Sequence, residues 1–500
     1  MLIFVVETSG ASLYSFCIIF HKKMREPKAD YTAHLPGDSK ATQSPRWYHE
    51  NLTCSSTVSC VMPVAFVGAL DEKGRGLVET GAKYILIEGA LQGETVSYSS
   101  YRVKPAYELA RLDTVHRASA LRVAPKCPYF GVCGGCTMQH VAEDAQLAMK
   151  QRELEMRLWR VGQVRPSCFI QPVHGSAWGY RHRARLSVRW VAKKGEVLIG
   201  FHERKSRYIA DMRSCAVLPK AASDLLMPLR SLVESLSIRE LVPQIELAMG
   251  ETGITLVLRV LEALAVEDRK KLKAFAELRR VVLYVQPKGP DTVELLHPPE
   301  AQPLVYTLPE YEVSFEFMPT DFTQVNPAMN RVLVRRAMQL LEPQPGERIA
   351  DLFCGLGNFS LPIARCGAQV VGIEHCAPLL MRARLNAERH GLAERTRFVA
   401  ANLYVPKPRM FDELAGCDKI LLDPPREGAI EFIKALGQSK VRPWRIVYVS
   451  CNPATLARDA AVLTHELGWH CQAAGVFNLF PHTAHVESIA LFSPKQQATC

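Results

Sequence analysis

Four short apolar runs in the last third of the chain each end on a polar residue, and this cadence constrains the fold more than any other feature. Arg348–Phe353 leads into Cys354-Gly355-Leu356-Gly357-Asn358, Val370–Ile373 ends on Glu374, Ile420–Leu422 on Asp423, and Ile446–Val449 on Ser450-Cys451. Short runs rich in branched residues read as strands buried on both faces. Phe359 to Arg365 reads as a helix between two of them. From about Thr320 onward the alternation of strand and helix predicts an α/β domain built on a mainly parallel sheet. In such sheets ligands bind beyond the carboxyl ends of the strands, which is where these polar residues fall.

The loop after the first strand carries Gly355 and Gly357, where the lack of a side chain lets backbone approach a ligand. Glu374 at the tip of the next strand suits the two hydroxyls of a ribose. A nicotinamide dinucleotide would call for a fuller glycine pattern and a pyrophosphate on the helix N-terminus. Position 360 is Ser360 rather than glycine, and S-adenosylmethionine (SAM) has no phosphate to cradle. SAM is therefore the preferred ligand. Asp423-Pro424-Pro425-Arg426 then places a carboxylate at a strand end, followed by a rigid non-helical turn facing the same crevice.

A cysteine at a strand end is more often a small buried hydrophobe than a nucleophile. Cys451 shares the sheet edge predicted for Asp423 and the glycine loop, which shifts that balance. A base for proton removal is sought in His482-Thr483-Ala484-His485-Val486-Glu487, and Glu487 is the choice. Reading His482, His485 and Glu487 as metal ligands finds no companion cluster nearby.

Five segments resemble, in order and wording, the RNA uracil-5-methyltransferase family. They are Phe322-Thr323-Gln324-Val325-Asn326, Asp351–Phe359, Asp423-Pro424-Pro425-Arg426, Ser450-Cys451-Asn452-Pro453 and His485-Val486-Glu487. The resemblance implies a Rossmann-like SAM-dependent methyltransferase domain over residues 319–500. It makes Cys451 the nucleophile that adds to carbon 6 of a uridine and Glu487 the general base that removes the carbon 5 proton. It assigns SAM contacts to Gln324, Phe353, Asn358, Glu374, Asn402 and Asp423, with Asn402 near the adenine end and one residue further from Glu374 than the family spacing.

Upstream, close-spaced apolar strands with glycine-bearing turns from Pro63 onward predict a small β-barrel. The barrel, residues 62–122, resembles a TRAM domain, an OB-like RNA-binding barrel. Residues 123–318 are expected to form a central α+β domain, and a helix over 140–163, with Leu147, Leu154, Leu158 and Val161 on one face, is expected to pack on the catalytic domain. Cys127, Cys133 and Cys136 form a tight loop around one centre, with Cys215 as the fourth thiol. Four cysteines suit zinc equally well by geometry. The family resemblance implies a [4Fe–4S] cluster instead, in a structural role. Arg181, Arg183, Arg185 and Arg189 alternate with Ala184, Leu186, Val188 and Trp190, the pattern of a strand with one basic, phosphate-contacting face.

A net charge of +11 tilts towards a polyanionic partner. The 15 cysteines, odd in number and without a disulfide framework, fit a reducing cytoplasm. Residues 1–61 read as a poorly ordered extension too interrupted to span a bilayer, with Met62 an alternative start. Because family members directed at tRNA lack both the barrel and the cysteines, the resemblance implies 23S rRNA as substrate, a cytoplasmic location, no membrane and a monomer. The rivals are methylation of another rRNA site or tRNA, a cytosine-5 enzyme (which would carry a Pro-Cys in place of Pro424-Pro425), and a non-catalytic RNA-binding iron–sulfur scaffold.

Overall fold

The computed structural model describes residues 62–495; the expected N-terminal extension lies outside the described residues. The first module holds six strands: β1 (Val64–Phe66), β2 (Ala69–Leu70), β3 (Gly76–Glu79), β4 (Tyr84–Glu88), β5 (Thr95–Val103) and β6 (Tyr107–Arg117). They are ordered β1-β5-β6-β4-β3-β2. β1 pairs with β5 at one edge and β2, three residues on, pairs with β3 at the other, so the opening segment closes the sheet on itself. Closure removes both exposed edges, and the alternate residues Val78, Ile85, Ile87, Val96 and Ala110 fill the interior.

Helix α1 (Glu143–Arg160) follows, shorter at both ends than the sequence pattern suggests. Leu154 and Leu158 are fully buried, while Val161 lies beyond the last helical turn and is largely exposed. The next elements are β7 (Cys168–Phe169), β8 (Arg183–Val191), β9 (Glu196–Gly200), α2 (Lys220–Ser223), α3 (Leu226–Ser235), β10 (Gln244–Gly250), β11 (Gly253–Arg259), α4 (Val266–Arg279), β12 (Val282–Gln286) and β13 (Glu294–His297). Five of these strands join β13 in a sheet ordered β13-β12-β11-β10-β8-β9, with α3 and α4 supplying Leu226, Leu229, Leu272 and Phe275 to its core. In β8 the predicted alternation holds on the apolar side: Ala184, Leu186 and Val188 are buried. The basic side is less free than the pattern suggests. Arg183 donates through Nη2 to the Pro319 carbonyl at 2.7 Å, and Arg185 pairs with Glu246, leaving Arg189 exposed at the far end.

A hairpin of β14 (Leu304–Leu308) and β15 (Val313–Phe317) leads to α5 (Pro327–Leu341). Asn326 caps this helix by accepting from the Met329 N–H, with Pro327 pre-set at its first position. Then come β16 (Arg348–Leu352), α6 (Ser360–Arg365), β17 (Gln369–Glu374), α7 (Ala377–Arg389), β18 (Thr396–Ala400), α8 (Pro408–Glu413), β19 (Lys419–Leu422), α9 (Ile430–Gln438), β20 (Arg445–Ser450), α10 (Pro453–Ala461), β21 (Trp469–Phe477) and β22 (Glu487–Pro494). They form an eight-stranded sheet ordered β18-β17-β16-β19-β20-β22-β21-β7. β16 to β20 are parallel to one another, and β22 is antiparallel to both β20 and β21. One face is covered by α5, α6 and α7, the other by α1, α9 and α10. The predicted α/β class is the one observed; α1 lies against α10 and β21.

Candidate active site

The order of strands brings residues far apart in sequence into one row. Glu374 ends β17, Phe353 follows β16, Asp423 follows β19 and Cys451 follows β20. Because β22 runs the opposite way, its first residue, Glu487, lies at the same edge. The β20–β22 ladder ends with Ser450 opposite Ser488, so Cys451 and Glu487 are the next residue on each side, near enough for the carboxyl to raise the thiol. Thiol and carboxylate are thus cross-strand neighbours, although 36 positions separate them in the chain.

Backbone strain marks the loop after β16. Phe353 takes φ 63°, the left-handed region that a bulky side chain rarely adopts. The Phe353 and Cys354 N–H groups both donate to the Ile373 carbonyl, which holds the turn in place. Gly355, at φ 55°, faces open space with no heavy atom within 4 Å of where a Cβ would stand. Its N–H donates to Glu374 Oε2 at 3.2 Å, and the His375 and Cys376 N–H groups donate to Glu374 Oε1 at 2.7 and 2.9 Å. The carboxylate is therefore oriented by three amides while remaining half-buried.

Asn358 is held from behind. Tyr306 Oη donates to its Oδ1 at 3.0 Å, and Asn330 exchanges two side-chain amide bonds with it at 2.9 and 3.0 Å. Gln324 lines a cleft with His182, Arg183, Tyr306 and Asn330, beside the same elements. Asn402 is exposed just past β18, and its Oδ1 accepts from the Tyr404 N–H at 2.9 Å. The Tyr404 ring stands 5.6 Å from that of Phe353. Tyr306, Asn330 and Tyr404 escape sequence reasoning because none sits in a motif; only tertiary contact links them to Asn358 and Phe353.

Burial dominates the electrostatics at the nucleophile end. It pushes the Cys451 thiol up to about 12, the Glu487 and Asp423 carboxyls push it the same way, and the Arg426 guanidinium pulls it down. Desolvation lifts Asp423 to about 7 and holds fully buried Glu487 well above the usual carboxylate range. A positively charged ligand shifts both carboxyls towards ionisation. Arg426 reaches across to His485 Nδ1 at 2.8 Å, and its carbonyl accepts from Asn452 Nδ2 at 3.0 Å. His482 points away from this edge into a buried contact with Gln146, so His482, His485 and Glu487 do not gather around one point.

Cys127, Cys133, Cys136 and Cys215 line a second cleft with Tyr129, Phe130, Gln139, Arg181 and Phe201. All four are free thiols. Burial raises Cys136 to about 11, and the other three cysteines add to the effect. Among the described residues no three His, Cys, Asp or Glu stand close enough to hold a single metal ion. The same residues include no helix long and apolar enough to cross a membrane.

A model of the tRNA (Uracil-5-)-methyltransferase family matches residues 143–495. The chain is similar to the 23S rRNA (uracil(1939)-C(5))-methyltransferase RlmD of Nitrosospira multiformis, at 57% identity over 85% of this chain and 97% of that one. It is equally similar, at 57% identity over 86% of this chain and 99% of that one, to the protein of the same name from Aromatoleum aromaticum. Among solved structures, the Pyrococcus abyssi tRNA (uracil-54, C5)-methyltransferase in complex with S-adenosyl-L-homocysteine shares the fold, with a TM-score of 0.67 and 24% identity over 86% of this chain and all of that one. Sheet order, the row of side chains along its edge and these matches agree: the chain belongs to the tRNA (Uracil-5-)-methyltransferase family.

Proposed function

We propose that the protein transfers a methyl group from SAM to carbon 5 of a uridine in 23S rRNA. The observation that carries the reading is the register of β20 and β22, which brings Cys451 near Glu487 at the edge that also bears Phe353, Glu374 and Asp423. Carbon 5 of uracil is too weak a nucleophile to take a methyl group directly. Cys451, half-buried at the pocket mouth, passes its proton to solvent, and its thiolate adds through an electron pair to carbon 6. The electron pair moves onto the ring as an enolate, and carbon 5 attacks the methyl. SAM supplies that methyl on a cationic sulfur, which leaves as the neutral thioether of S-adenosylhomocysteine. Glu487, ionised once cationic SAM is bound, takes the proton from carbon 5, and the sulfur departs with its electron pair to restore the ring.

Gln324, Asn358, Glu374, Asn402 and Asp423, with Phe353, hold the donor in this reading. The amide-oriented Glu374 accepts the ribose hydroxyls, and Asp423 faces the cationic end. Since the target base must leave its stack to reach Cys451, loop or single-stranded RNA is the substrate form. The closed sheet at residues 62–122 acts as a TRAM-type RNA-binding barrel, residues 123–318 as the central domain and residues 319–500 as the methyltransferase domain. Arg189, and Arg185 outside its pair with Glu246, offer phosphate contacts.

Cys127, Cys133, Cys136 and Cys215 line one cleft and would hold a [4Fe–4S] cluster, as the family resemblance implies; by geometry alone four cysteines suit zinc equally well. The cluster's role is structural, because the transfer moves no net electron.

The deciding experiment incubates the protein with SAM and unmodified rRNA and maps the product by mass spectrometry. 5-Methyluridine in 23S rRNA is expected. Methylation confined to tRNA, or found on cytosine, would overturn the assignment.

A further inference from the structure

The loop over residues 478–486, between β21 and β22, delivers Glu487 to the sheet edge, and it is gripped by parts of the molecule outside the methyltransferase sheet. The centre of the grip is Gln146 on α1, a fully buried side chain. Its Oε1 accepts from the His482 N–H at 2.8 Å, and its Nε2 lies 3.2 Å from His482 Nδ1. The same Nε2 donates to the carbonyls of Met138 and Val141 at 3.1 and 2.9 Å. Those two carbonyls belong to the turn that directly follows Cys136. From that turn the Thr137 and Met138 N–H groups donate to the His482 carbonyl at 2.8 and 2.9 Å. Both backbone groups of His482 are therefore tied, one to Gln146 and one to the turn after the cysteines.

His482 stands at φ 64°, a strained left-handed conformation for a residue with a side chain. Such strain persists only where the surroundings over-determine it, and here the two-sided hydrogen bonding does so. The flanking residues are held as well. Tyr180 Oη donates to the Pro481 carbonyl at 3.0 Å, and Lys150 donates to Asn478 Oδ1 at 2.7 Å and to the Phe480 carbonyl at 2.9 Å. Ala484 packs on Leu91, Met138, Val141 and Ala145.

We infer that Gln146 is a positioning residue for methyl transfer: its amide fastens the strained loop that presents Glu487 to the turn after Cys136, so the cysteine segment and the carboxylate move as one body. This rests on the reading of Glu487 as the base. An amide suits the position because it supplies an acceptor and two donors without charge. A methionine of similar length fills the space and makes none of these bonds.

The test uses the full-length protein with the cysteine-bound group retained. Gln146→Met is expected to lower kcat on the order of 10²-fold, the size of effect that a small misplacement of a reacting group produces. SAM binding by calorimetry stays unchanged. A covalent protein–RNA adduct builds up on denaturing gels, since addition continues and elimination lags. Amide deuterium uptake rises across residues 478–487 but not in the loop at 353–358. In a Glu487→Gln background, Gln146→Met should cost nothing further. Wild-type turnover, unchanged uptake across 478–487, or a full additional loss in that background would each overturn the inference. Should Gln146→Met fail to fold, Lys150→Gln, which loosens the hold on the Phe480 carbonyl one helical turn along, takes its place with the same readouts. The base reading has a separate control: wild-type turnover in Glu487→Gln alone sinks it without any Gln146 variant.

Discussion

The protein has two thiol sites, and burial alone does not distinguish them. Cys451 at the sheet edge and Cys136 in the four-cysteine cleft are both desolvated and both pushed well above an ordinary thiol, to about 12 and about 11. What differs is the source of the added negative charge. Around Cys136 it comes from the other cysteines; around Cys451 it comes from Glu487 and Asp423, with Arg426 opposing. Four mutually repelling sulfurs can all ionise only if a cation is placed among them. A single thiol beside two titratable carboxyls suits transient proton traffic.

Five experiments break or sharpen that contrast. The largest effect is expected from Cys451→Ala: no measurable transfer from labelled SAM, with SAM affinity intact by calorimetry. Appreciable turnover would remove the covalent step. In the wild type the thiolate fraction grows tenfold per pH unit below about 12, so kcat/KM should climb with pH through the neutral range. A rate flat from neutral upward would place the nucleophile elsewhere. Next comes Glu487→Gln, expected to slow turnover by about 10²- to 10⁴-fold while a protein–RNA adduct accumulates on denaturing gels.

Cys215→Ser belongs to the other thiol site. It should lower bound iron and sulfide and reduce the melting temperature, because a structural metal group contributes folding free energy. Zinc in place of iron by elemental analysis would reverse the cluster assignment. The smallest effect concerns Asp351, buried and bonded at 2.5 Å to Ser360 Oγ, which desolvation lifts to about 7. A carboxyl raised in the folded state stabilises most below its unfolded pKa, near 4, and that contribution disappears as pH rises towards 7. Asp351→Asn should flatten the fall in melting temperature over that window. An unaltered slope would assign the pH dependence to Asp423 or Glu487.

Legibility in the sequence followed locality. Glu374, Asp423 and Cys451 could be picked out because each ends a short apolar run, and strand ends can be read from the run itself. Gly355 and Gly357 could be read as turn positions for the same local reason, and both take a positive φ. The alternation in β8 correctly separated Ala184, Leu186 and Val188 from the arginines. It could not show that Pro319 and Glu246 engage two of those arginines. Helix α1 is legible through Leu154 and Leu158, yet nothing local marks Gln146 and Lys150 on the same helix as buried. Their partners lie more than 300 positions away, at His482, Asn478 and Phe480.

From the sequence alone come the strand–helix alternation, the glycine loop and the identity of the polar residue closing each strand, since these depend on neighbours within a few positions. Only the tertiary structure brings Cys451 near Glu487, places Tyr306 and Asn330 behind Asn358, and ties His482 to the turn after Cys136. Strand order and antiparallel register are settled by burying two sheet faces at once. Long-range polar bonds form only after that burial has brought their partners together, and no local pattern of residues encodes them.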